Sequence, residues 1–166
     1  PSANARFRAG ADRAIAAHAA RFAAWLVAES TVIANTAHAP PAGERTFGWA
    51  QASFITFRAD LPRPSALAHW HDIHTPVAIE TQANFEYVQH AILCALTPKA
   101  PAYDAFVEEC FPPEAMTDPA AFFAATGDDA KLRANIKAMM ASCGAFLDFA
   151  RNDIVPTSQF DIGDPA

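Results

Sequence analysis

The chain is short of the features that announce the commonest function classes. Basic charge is scarce: 12 Lys and Arg stand against 18 Asp and Glu, for a formal net charge of −6. The basic residues are scattered, which excludes a surface that tracks phosphates, so no nucleic-acid partner is expected. No apolar run approaches the roughly 18 residues that span a bilayer, and no stretch has the charged-then-apolar pattern of a secretory leader. The six glycines are dispersed and do not gather into a phosphate-cradling loop. Only three cysteines occur, Cys94, Cys110 and Cys143, with no C-x-x-C spacing. They read as unpaired core thiols in a reducing, cytoplasmic compartment. What is plentiful is apolar residue: 52% of the 166 residues are hydrophobic, enough for a packed core.

Periodicity divides the chain into helices and strands. Residues 4–24 predict a helix, with Phe7, Ala11, Ile15, Ala19 and Phe22 on one face. The run from Trp25 to Asn35 is rich in Val, Thr and Ile and predicts a strand. Residues 36–46 carry two prolines and a glycine and predict a linker. Residues 47–58 are the best strand of the chain. Phe47, Trp49, Gln51, Ser53, Ile55 and Phe57 alternate with Gly48, Ala50, Ala52, Phe54 and Thr56, so both faces are largely apolar and the strand should be central. Ser65 reads as the cap of a helix that Pro76 bends or ends. Two strands follow, at Asn84 to Leu96 and Tyr103 to Phe111. A short helix opens at Thr117 or Asp118 and stops at Gly127. A longer one opens at Asp128 or Asp129, with Leu132, Ile136, Met139, Met140, Cys143 and Leu147 as its stripe. A closing strand from Ile154 to Ile162 holds Pro156, which marks an edge or a short strand.

From residue 47 the order is strand, helix, strand, strand, helices, strand. That is the order of a ferredoxin-like α+β module, an antiparallel sheet with helices on one face. The other face calls for a second sheet, so a homodimer or an intramolecular pair of modules is expected. Residues 18–35 also echo residues 140–160: each is a helix ending on an aromatic and followed by a strand. The expected division is therefore residues 1–46, the closing helix and strand of a preceding module plus a linker, and residues 47–166, a complete module. The absence of an initiator Met before Pro1 fits that expectation.

The chemistry concentrates at residues 69–74, His-Trp-His-Asp-Ile-His. His71 and His74 lie three apart on a helix, but a metal would need a third ligand such as Asp72, Glu80 or Glu86. No H-x-x-x-H or C-x-x-C supports one, and no metal is expected. His69 and His71 read as exposed. His74, beside Trp70 and at the expected helix end, titrates near neutral pH and is the candidate proton donor or acceptor. The run Glu108, Glu109, Cys110 reads as strand edge plus core.

Three stretches carry a resemblance: Ser65 to Trp70, His74 to Val77, and Tyr87 to His90. Trp70, His74, Val77, Tyr87, Val88 and Gln89 together resemble the EthD family of the dimeric α+β barrel superfamily, across residues 47–162. The resemblance implies a ferredoxin-like sheet facing a second sheet, with a small apolar or aromatic ligand between sheet and helices. It implies a role in oxidative degradation of small organics or in tailoring aromatic polyketides, as a cofactor-free oxidoreductase or lyase, or as a non-catalytic accessory. On that reading His74 is catalytic, and Trp70, Tyr87, Gln89 and His90 line the substrate site. His90 stands where the family usually has Asn. Haem would need His74 or His90 as its axial ligand; neither haem nor another cofactor is expected.

Overall fold

A computed structural model of the chain describes residues 8–162. Its centre is one antiparallel sheet of five strands: β1 (Trp25–Ile33), β2 (Trp49–Ile55), β3 (Glu86–Ala95), β4 (Ala105–Phe111) and β5 (Asp153–Thr157). The spatial order is β1-β3-β4-β2-β5. Without β1 this is the ferredoxin-like order of an α+β module. β1 extends the same sheet along the free edge of β3, with Glu29 opposite His90 and Thr31 opposite Val88. β2 lies inside the sheet, between β4 and β5, as its two apolar faces require. β5 is short and lies at an edge of the sheet, where a proline such as Pro156 is tolerated.

Several boundaries differ from expectation for local reasons. The first helix, α1 (Ala9–His18), ends early because Ala19 is already extended, and none of its residues is buried. Phe7 of its expected stripe lies outside the described residues. β2 starts at Trp49, not Phe47, because Gly48 takes a φ of +75° and packs against the backbone of Phe111. Ser65 is not a cap: the helix α2 (Arg63–Ala68) opens two residues earlier, with Pro64 in its first turn, and makes no side-chain cap bond.

Pro76 does not end the helix. α2 runs into a π-helical turn, His69–His74, and on into α3 (Thr75–Thr81). In the wide turn the N–H of Thr75 reaches back five residues to the Trp70 carbonyl, which also accepts from the Thr75 hydroxyl at 2.8 Å. Pro76 then falls in the first turn of α3, where its missing N–H is tolerated.

A short helix, α4 (Pro119–Phe122), and a long one, α5 (Asp129–Phe146), complete the layer. Asp118, not Thr117, caps α4 by accepting from Ala120 N, and Asp128 caps α5 by accepting from Lys131 N at 2.9 Å. α4 ends at Phe122, before Gly127, which takes φ +78° in the turn that follows.

The core lies between the sheet and the α2–α3 and α5 helices. Ile55, Phe57, Trp70, Tyr87, Val107, Met139 and Phe146 form its main cluster, and Trp49 and Phe111 form a satellite cluster with Ala115. No helix among the described residues is long and apolar enough to cross a membrane. The thiols are unpaired as expected, but Cys94 is exposed on β3 and only Cys110 is fully buried.

Candidate functional site

The helix-covered face of a sheet is normally apolar, because its only role in folding is to exclude water. Here that face carries polar residues in register. Gln51 on β2, Glu109 on β4 and Tyr87 on β3 stand side by side across the three strands, and Ser53, Val107 and Gln89 form the next row. Ser53, Tyr87, Gln89 and Glu109 are buried. Above them lies a cavity of about 280 Å³. Gln51, Tyr87 and Glu109 line it from the sheet, Trp70 and His74 from the π turn, and Met139, Cys143 and Phe146 from α5. An apolar cavity of roughly 150 Å³ already admits benzene, so this one has room for a one- or two-ring molecule.

The π turn sets the two aromatic side chains of the motif. Trp70 is 1% exposed and packs edge-on against Phe57. His74 is buried against Phe146, and its Nδ1 lies 3.1 Å from the Ser142 hydroxyl. No hydrogen bond to Nε2 is made by a described residue, which leaves that nitrogen to the cavity the ring lines. His74 is therefore mid-helix, not at a helix C-terminus, and burial dominates its titration. Desolvation, helped by His69, pushes its pKa down to about 4. At neutral pH the ring is uncharged, which suits it to take part in hydrogen bonds and not to act as an imidazolium.

Tyr87 is held by a chain of hydrogen bonds. Gln89 Nε2 donates to its hydroxyl at 2.7 Å and to Thr75 Oγ1 at 2.8 Å, while Gln89 Oε1 is 3.0 Å from His71 Nδ1. Burial, then the nearby Glu109, pushes Tyr87 up to about 12, so it stays a neutral phenol. The Trp70 and Thr75 side chains also hydrogen-bond the Tyr87 hydroxyl, so the phenol is fixed by three neighbours at the cavity wall.

Of the residues read from the sequence, Trp70, His74 and Tyr87 come together on the cavity. Gln89 does not line it but fixes Tyr87. His90 is a correction. Neighbouring strand residues point to opposite faces, so with Gln89 inward His90 lies on the outer face. There its Nε2 is 2.9 Å from Glu108 and its ring stacks on Phe106. His71 is exposed, as read, and stacks on Trp70, whereas His69 is half-buried with its Nε2 3.2 Å from the Ser142 carbonyl. His71 and His74 turn to different partners, Gln89 and Ser142. Among the described residues no three His, Cys, Asp or Glu side chains gather as a metal would require.

Glu109 was not singled out by the sequence. β4 is the middle strand of the sheet, not an edge. Glu109 points inward, with Asn84 Nδ2 at 2.8 Å from one carboxylate oxygen and Gln51 Nε2 at 3.2 Å from the other. No cationic side chain among the described residues pairs with it. Burial pushes its pKa up to about 7 against the opposing pull of the two amides.

The chain thus combines a ferredoxin-like α+β sheet with a small, mostly apolar cavity beneath its helices. The EthD domain model matches residues 58–150, which spans α2 to α5 and every cavity residue named above except Gln51. The chain belongs to the EthD family. No curated protein matches it.

Proposed function

We propose that the protein binds a small apolar or aromatic organic molecule in the cavity between sheet and helices and acts on it without an organic cofactor. Proton transfer, as in a lyase or isomerase, is the favoured chemistry; a cofactor-free oxidoreductase is the neighbouring class within degradation or tailoring of such molecules. The observation that carries this is the meeting of Trp70, His74 and Tyr87 on one cavity of about 280 Å³. His74, neutral and with no bond to Nε2 from a described residue, accepts a hydrogen bond from the occupant; Tyr87 donates one.

A titration with 1-naphthol followed by amide NMR tests the binding step. Saturable shifts centred on Trp70, Tyr87 and Met139 are expected, and shifts confined to the exposed surface would remove the proposal. A second reading, a non-catalytic accessory module, is favoured by the bond that already ties His74 to Ser142. No turnover by the protein alone, with a partner enzyme's output supported equally by wild type and His74→Ala, would select it.

The outer sheet face supports the expected assembly. Trp25, Phe54, Tyr103 and Phe106 form a half-buried aromatic strip there, with ring centroids 4.7–6.2 Å apart. We propose that a second sheet covers it, from a second copy or from a tandem module. The three unpaired thiols support a reducing, cytoplasmic setting.

A further inference from the structure

We infer that Glu109 is the proton-transferring carboxyl of the cavity, that Tyr87 beside it hydrogen-bonds the carbonyl of the occupant, and that the occupant is an aromatic or alicyclic ketone with an acidic α-C–H. This rests on reading the cavity as a small-molecule site and names the chemistry it performs.

The geometry comes from the sheet register. Tyr87 and Glu109 are directly paired across β3 and β4, and opposed side chains on one face start roughly 5 Å apart. No hydrogen bond among the described residues joins the two, and both line the same cavity. Glu109 is 6% exposed, yet it is neither buried as an ion pair nor left bare. Each carboxylate oxygen accepts one amide N–H and keeps lone-pair capacity for a proton. Asn84 and Gln51 are positioning residues: their bonds hold the carboxyl and favour its ionised form, while burial favours the neutral form. A carboxyl needed only for structure would be costly here, since an amide or an apolar residue would fill the place.

The step balances without a co-reactant. The Glu109 carboxylate takes the proton from the α-carbon. The C–H electron pair becomes the enol C=C bond, and the carbonyl π pair moves to oxygen, where the Tyr87 hydroxyl stabilises it. Return of the proton to the same carbon restores the ketone, and return to a conjugated carbon gives its isomer. The titratable groups that face Glu109 are Tyr87 from β3, His74 from the π turn and Cys143 from α5, while Cys110, next to it on β4, points to the other face. Tyr87 and Cys110 are pushed up to about 12, Cys143 up to about 11 and His74 down to about 4. Glu109, at about 7, is therefore the group among them that changes charge near neutrality. The rate should rise with pH through that midpoint as the carboxylate forms.

The test uses the full chain and 2-tetralone in buffered D2O, with ¹H NMR reporting both binding and loss of the α-proton signal. Wild type is expected to shift the probe's resonances and to exchange its α-protons faster than buffer. Glu109→Gln should keep the shifts and lose about 100-fold or more of the exchange. Tyr87→Phe should lose roughly 10-fold or more with binding kept. Should Glu109→Gln fail to fold, Glu109→Asp carries the same expectation, reduced exchange with binding retained. Binding without exchange above buffer, or wild-type exchange in the folded Glu109 variant, overturns the role of Glu109 and leaves the cavity reading standing. No binding of the probe overturns both.

Discussion

Replacing Glu109 with Gln should reverse the sign of its effect on stability with pH. A carboxyl that titrates at 4.5 when exposed and at about 7 in the folded protein is one whose ionised form folding disfavours. Because the folded value is the higher one, its contribution to stability is complete below about pH 4.5 and is lost as pH rises through 7. The gap between the two values corresponds to about 3 kcal/mol, a large share of the roughly 5–15 kcal/mol that holds a domain folded. Gln has nearly the same shape and no charge to lose. At low pH the variant should be the weaker protein by about 1–2 kcal/mol, since its own NH₂ faces the N–H donors of Asn84 or Gln51. Near pH 8 that deficit should vanish or invert. Urea unfolding of both proteins between about pH 4.5 and 8.5 measures this, and the difference cancels every titrating group they share. A wild-type-minus-variant difference that stays flat within the ~10–15% extrapolation error would refute the reasoning. It would mean that the carboxylate is as well solvated in the fold as outside it.

His74 should behave oppositely: its folded pKa lies below 6.5, so it supports stability above that value and withdraws about 3 kcal/mol as pH falls towards 4. Ring NMR signals that do not titrate between about pH 5.5 and 8 are expected, and a midpoint near 6.5 would contradict its burial. Gly48→Ala should destabilise by about 3 kcal/mol or more, because a Cβ there would meet the Phe111 carbonyl oxygen at 1.9 Å and φ is +75°; thermal unfolding that is unchanged would show that the Gly48 turn relaxes freely. Light scattering should give about twice 17.8 kDa if a second copy covers the aromatic face, and the mass of a single chain would rule out self-pairing.

How much of this was readable beforehand follows from which interactions are local. The alternation of residues 47–58 located the central strand because period two is written in consecutive residues. The Trp70, His74 and Tyr87 motif was readable for its residue types. The π turn was not: a shift from four- to five-residue spacing has no propensity signature, and Pro76 after a histidine-rich run looks like a stop. Glu108 and Glu109 were indistinguishable because alternation says that they part, not which one faces inward. Only the sheet register decides that, and Glu109's partners lie 25 and 58 residues away. The same ambiguity sent His90 to the wrong face. A strand that alternates unambiguously elsewhere could have settled both, since Tyr87 inward forces Gln89 inward and His90 outward.

The cavity's electrostatics then restrict what it can hold. Desolvation is the largest cause of the shift at Glu109, at His74 and at Tyr87, and in each case it favours the neutral form. A carboxyl goes up, an imidazole comes down and a phenol goes up for one reason: the space they border is a poor solvent for charge. A carboxylate or phosphate placed there would meet the same penalty with no positive charge among these groups to offset it. An uncharged molecule meets apolar walls from Trp70, Met139 and Phe146 and a few fixed hydrogen-bonding groups. Glu109 is the exception that gives such a site chemistry, because its two amide donors bring the balance between neutral and ionised forms close to physiological pH. Its proton is therefore the one that moves at least cost.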